Sequence, residues 1–152
     1  MLQSSFNKNI KKIINILEFP MYIVTPNYDL RCTCRDRNDR PNPKCPKCLG
    51  IGYRIQVRKI LGAYEPDDTS MRFATGSATK VVAEYFFDSD KVDTDWVKSG
   101  SVIVRDNEVD VLQMPRMYRS DSNDVIYVYA KSTPKNVDLN SFLENFKKLV
   151  SL

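Results

Sequence analysis

Four cysteines in two tight pairs are the residues of this chain best suited to do chemistry. They stand as Cys32-Thr33-Cys34 and Cys45-Pro46-Lys47-Cys48, and the chain has no others. The spacing C-x-C-x10-C-P-x-C suits one metal ion, because two short turns joined by a loop can present four sulfurs to it. A closed, tetrahedral all-Cys shell is a common form of structural zinc. Gly50 and Gly52 follow the second pair, where chain leaving a metal turn often needs positive φ or close backbone approach. Pro46 stiffens the turn between the second-pair thiols. The expected ligands are Cys32, Cys34, Cys45 and Cys48, with structural zinc as the cofactor. Two disulfides and an iron–sulfur cluster are the alternatives.

The first 19 residues bear on that choice. They carry three lysines in a periodic pattern and no uninterrupted apolar stretch of the kind a secretory signal has. In a chain that is not exported, a dense cysteine cluster favours metal over disulfides. A catalytic zinc is disfavoured, because such sites keep an open position and usually use His or carboxylate ligands, and the chain has no His. No nucleophile motif is present, Gly76-Ser77-Ala78-Thr79-Lys80 lacks the phosphate-loop pattern, and Asp88, Asp90, Asp93 and Asp95 lack the glycine and final Glu of a calcium loop. These read as a polar turn and a solvated turn. No enzyme activity is expected.

Charge is unevenly placed. Between Arg31 and Lys59 lie nine basic residues against Asp36 and Asp39 alone, a net +7, whereas the whole chain is +4. A four-thiolate zinc site carries about −2, so part of the excess balances the metal. The remainder suits an acidic protein surface or nucleic acid. No run of about 18 apolar residues is present, so no membrane span is expected and the chain reads as soluble and intracellular when made.

The elements that would position the cysteines follow from periodicity. Phe6, Ile10, Ile13 and Leu17 recur at helical spacing over 4–18, and Pro20 ends that helix. A short strand over 21–25 is expected to close at Pro26-Asn27. The Arg/Asp/Pro-rich stretch between the cysteine pairs has almost no apolar character and reads as a projecting, mobile loop. Tyr53, Ile55 and Val57 alternate with Arg54, Gln56 and Arg58 as a half-buried strand, continued by 60–64, with a turn expected at Glu65-Pro66-Asp67-Asp68. Further strands are expected at 81–87, 102–104, 109–112 and 125–130, with a hairpin at Arg105-Asp106-Asn107-Glu108. Leu139, Phe142, Leu143, Phe146 and Val150 are helical in period, with Asp138 as N-cap.

Consecutive strands without intervening helices argue a mainly β fold, a small antiparallel barrel or sandwich with a helix at each end. The expected layout is one domain: an N-terminal helix over 1–19, an inserted zinc loop over 31–53, the barrel over 53–131 and a C-terminal helix over 138–151. The strand aromatics read as packing residues.

An N-terminal helix, Cys32-Thr33-Cys34, an Arg/Asp/Pro-rich loop, Cys45-Pro46-Lys47-Cys48-Leu49-Gly50-Ile51-Gly52-Tyr53 and then a barrel-like run resemble head–tail connector or neck proteins of tailed bacteriophages. The later segment, with Ser99-Gly100-Ser101-Val102-Ile103-Val104 and the strand ending at Tyr129-Ala130, resembles head-closure (stopper) proteins. The resemblance implies a virion protein made in the host cytoplasm and assembled as a homo-oligomeric ring. That ring would contact portal or adaptor proteins on one side and tail proteins on the other, with DNA near it in the channel. Cys45-Pro46-Lys47-Cys48-Leu49-Gly50-Ile51-Gly52 is also similar to the C-x-x-C-x-G-x-G half-site of zinc-ribbon cochaperones, which use several such repeats where this chain has one. The alternative function is a zinc-ribbon nucleic-acid-binding module using Arg35, Arg37, Arg40, Arg54 and Arg58 on phosphates.

Overall fold

A computed structural model describes residues 2–66, 83–135 and 138–151. Helix α1 (Leu2–Leu17) leads into strand β1 (Phe19–Arg31), followed by β2 (Tyr53–Pro66), β3 (Ala83–Asp88), β4 (Val102–Arg105), β5 (Glu108–Arg119), β6 (Val125–Pro134) and helix α2 (Leu139–Val150). The six strands close into a barrel in the order β1-β2-β3-β6-β5-β4, and every neighbouring pair is antiparallel. Closure leaves no strand edge running the length of the sheet.

Alternation along the strands builds the core. Met21 and Ile23 of β1, Ile60 of β2, Ala83, Tyr85 and Phe87 of β3, Ile103 of β4, Leu112 of β5, and Val128 and Ala130 of β6 form one buried cluster. Successive side chains of a strand point to opposite faces, so a barrel interior draws on every second residue. Val92 and Val97, from the connection between β3 and β4, join the same cluster. A polar group sits inside as well: the Tyr85 hydroxyl donates to Asp110 at 2.5 Å, and Arg105 Nε donates to the Tyr85 oxygen at 2.6 Å. Burial first, and then the Asp110 carboxylate, push the Tyr85 phenol well above its ordinary range, so it stays a neutral donor.

The helices cover two patches of the barrel's outer face. Ile14 of α1 packs with Ala63, Ile126 and Tyr127. Phe142 and Phe146 of α2 pack with Val24, Val102, Val104 and Val109, and with Leu49 from the cysteine loop. Lys11 of α1 pins the first contact through Asp88 at 3.3 Å and Asp90 at 2.5 Å.

Several boundaries differ from those read off the sequence. β1 runs through Pro26 to Arg31, and the barrel therefore starts at Phe19 rather than at 53. Along β1, β4 pairs only with Tyr22, Ile23 and Val24, so Pro26 lies where β1 has β2 alone as neighbour, a position that tolerates a missing N–H. The cysteine loop is thus inserted within the barrel, between its first two strands, and does not precede it. Glu65 and Pro66 belong to β2 instead of a turn; residues 67–82, including the Gly76–Lys80 stretch and the start of the 81–87 strand, lie outside the described residues. β5 continues past Leu112 to Arg119 across an irregularity between Gln113 and Arg116, where Met114 takes φ 46°. Asp106 and Asn107 form the β4–β5 turn, with Asp106 at φ 50°. Asp138 does stand at the start of α2, but in the left-handed region and without a side-chain cap bond. Asp88, expected in a solvated turn, is buried under α1.

Candidate metal centre

β1 and β2 end their pairing at Arg31 and Tyr53 after a register shift beyond Asn27, and the chain between them holds all four thiols. Cys32 is tied back to the strand end by its N–H, which donates to the Gly52 carbonyl at 3.0 Å. The second pair sits in a turn built by the amides of Leu49, donating to the Cys45 carbonyl, and Ile51, donating to the Cys48 carbonyl. Leaving this turn requires Gly50 at φ 81° and Gly52 at φ 89°. A Cβ on Gly50 would lie 2.9 Å from the Pro43 carbonyl oxygen, and one on Gly52 would lie 2.8 Å from an Arg35 guanidinium nitrogen. Both glycines therefore answer to conformation and to close approach at once.

The stretch between the pairs is ordered by its own polar groups, contrary to the mobile loop expected from its composition. One Asp36 carboxylate oxygen accepts from the amides of Asn38 and Arg40. Asp39 pairs with Arg31 at 2.6 Å. Arg35 donates to the carbonyls of Gly52 and Asp39 and lies over the Tyr53 ring, 4.7 Å from its centroid. Short-range Asx bonds and one inward-turned arginine replace the apolar core that the stretch lacks.

The structure brings Cys32, Cys34, Cys45 and Cys48 together. Their sulfurs all lie within 4.8 Å of one another, with Cys32 to Cys45 at 3.8 Å and Cys34 to Cys48 at 3.6 Å. Metal–sulfur bonds of about 2.3 Å in a tetrahedron place sulfurs about 3.8 Å apart, whereas a disulfide needs about 2.05 Å. The four are free thiols, and their arrangement fits a metal ion. Cys32, Cys45 and Cys48 are buried, and Cys34 is partly open.

The thiols differ electrostatically. Burial pushes the Cys48 thiol up to about 12, even though the amides of Gly52 and Gly50 favour its thiolate. Burial opposes ionisation of Cys45 too, but the Cys48 and Lys47 amides and neighbouring thiols outweigh it and hold Cys45 at about 7. Burial also raises Cys34. Four thiolates could share this space only with a cation among them, and a bound metal would draw off the protons.

No protein-family model matches this sequence, and no curated protein matches it.

Of the arginines expected to meet phosphates, Arg37, Arg40 and Arg54 are exposed. Arg35 and Arg58 are not available: Arg35 braces the loop, and Arg58 bonds to Gln56 and lies over the Trp96 ring, 4.4 Å from its centroid. Two contributors escaped the sequence reading. Leu49, at φ 55°, carries the metal turn into the α2 cluster, and Asn145 of α2 bonds to the Lys44 carbonyl. An apolar residue directly after the last ligand was the one visible signal for the first; nothing local marks the second.

Among the described residues, no helix is long and apolar enough to cross a membrane.

Proposed function

We propose that this chain is a structural zinc protein of the tailed-bacteriophage neck, forming a ring that joins the portal side of the capsid to the tail and helps to close the DNA channel. The observation that carries the reading is the convergence of four thiols at one end of a closed barrel. The cysteine block is the most specific part of the resemblance to neck proteins, and an N-terminal helix followed by a barrel is the pattern on which that resemblance rests.

The chemistry of the site supports a structural role. Four thiolates complete a tetrahedral zinc shell and leave no position for water or substrate, so the metal acts as a brace. Its binding energy becomes ordering energy for a loop with little core of its own. The outer flank of α1 supports an assembly role: Ile16 is 79 % exposed, Leu17 62 %, Phe6 58 % and Ile13 50 %. A contiguous apolar flank of this kind marks a contact surface, and the neck reading assigns it to the neighbouring subunit of the ring.

Quantitative mass spectrometry of purified phage particles tests the proposal. A small, fixed ratio of this chain to the portal protein is expected. Absence from clean particles would overturn the neck reading.

A further inference from the structure

The cysteine loop and the root of β2 enclose a cleft of about 320 Å³ lined by Arg31, Cys32, Thr33, Lys47, Cys48, Tyr53, Arg54 and Ile55. Three cations and two hydroxyl-bearing side chains, Thr33 and Tyr53, line it, and no carboxylate does. The larger cleft nearby, which shares Arg54, has a different character, because Asp29, Asp93 and Asp95 line it with Arg54, Arg58 and Lys98. Of the cations at the smaller cleft, Arg31 is engaged by Asp39. Lys47 and Arg54 are exposed and have no side-chain partner among the described residues. Arg37, Arg40 and Lys44, on the same loop, are likewise exposed and unpaired among the described residues. A zinc–thiolate centre of about −2 cancels only part of this charge.

We propose that this cleft seats a phosphate of a nucleic-acid backbone, with Lys47 and Arg54 as its principal contacts and Arg37, Arg40 and Lys44 meeting adjoining phosphates. Lysine and arginine that are exposed, unpaired and fixed on an ordered loop exchange counterions for phosphates without first breaking internal ion pairs. Thr33 adds a hydroxyl donor of the kind that accompanies phosphate contacts. The residues differ from those a simple count of arginines picks out, since Arg35 and Arg58 are spent inside the protein. The inference rests on the folded loop and stands apart from the neck reading.

The test is fluorescence anisotropy of a labelled short DNA duplex with the full, zinc-loaded chain, from about 50 to about 200 mM salt. Two variants with equal charge change are compared: K47E/R54E at the cleft and K8E/K12E on the exposed face of α1. Binding should weaken steeply with salt, K47E/R54E should lose about tenfold or more in affinity and flatten the salt slope by about two, and K8E/K12E should stay within about twofold of the parent chain. Retained zinc content and thermal midpoint show that the cleft variant is folded. Equal losses in the two variants, no binding at the lowest salt, or binding of poly-glutamate in place of the duplex would each overturn the proposal.

Discussion

Asn145, on the last helix, donates its side-chain N–H to the carbonyl oxygen of Lys44 at 3.2 Å, although 101 residues separate them. Lys44 immediately precedes Cys45, the first residue of the second cysteine pair. Leu49, immediately after Cys48, enters the cluster of Phe142 and Phe146. The turn of the second cysteine pair is therefore gripped by α2 on both sides, and order at the thiols and docking of the helix support each other.

The first prediction concerns that coupling. Removing the metal with a chelator, or replacing Cys48 by Ser, should lower the thermal midpoint by at least about 5 °C, equivalent to roughly 2 kcal/mol for a chain of this size. Hydrogen exchange should rise in α2 as well as in residues 32–52. Faster exchange confined to the loop would show that α2 holds without it.

Phe142 is fully buried between α2 and the barrel. Phe142→Ala should cost about 3–5 kcal/mol, read by urea unfolding. It should also weaken metal retention, since the cluster that holds Leu49 would lose its most buried aromatic ring. A zinc affinity equal to that of the parent chain would separate the two.

Asp88 and Lys11 give α1 a pH dependence. Burial opposes ionisation of Asp88, but the Asp90 amide and the Lys11 ammonium outweigh it and hold the carboxyl below its ordinary 3.8. The contribution is therefore present above about pH 4 and is lost as pH falls through the folded-state value. Lys11 is desolvated, yet the two aspartates raise it above 10.5, so its share persists below pH 10.5 and disappears only in stronger alkali. Asp88→Asn should flatten the acid limb of the stability curve, measured by chemical denaturation between about pH 3 and 6. An unchanged limb would remove Asp88 from the account.

Much of this was legible in the sequence, for physical reasons that can be named. The four clustered thiols stood out because cysteine occurs nowhere else. The strands showed through alternation such as Tyr53 to Arg58, and α2 through the spacing of Phe142 and Phe146. What stayed hidden depends on contacts distant in the chain. Pro26 ends a strand by local rules, yet here β2 carries the pairing past it. Asp88 looks like its solvated neighbours until α1 is laid over it. The order of the Arg35–Pro43 stretch comes from Asx bonds and from Arg35 turning inward, which composition does not reveal.

Tyr85 tests the polar group inside the barrel. Tyr85→Phe removes the hydroxyl that joins Arg105 to Asp110, while their direct contact at 3.2 Å remains. The loss should be about 1–3 kcal/mol, and additional Asp110→Asn should be far from additive. Additive losses in a double-mutant cycle would mean that the two residues act independently.

Metal content tests the central claim most directly. Elemental analysis by mass spectrometry of the chain, purified under reducing conditions without added metal and without a metal-binding tag, should find one zinc per chain, and none after Cys45→Ser. A parent chain that holds no zinc, or whose intact mass shows two disulfides in place of four thiols, would contradict it.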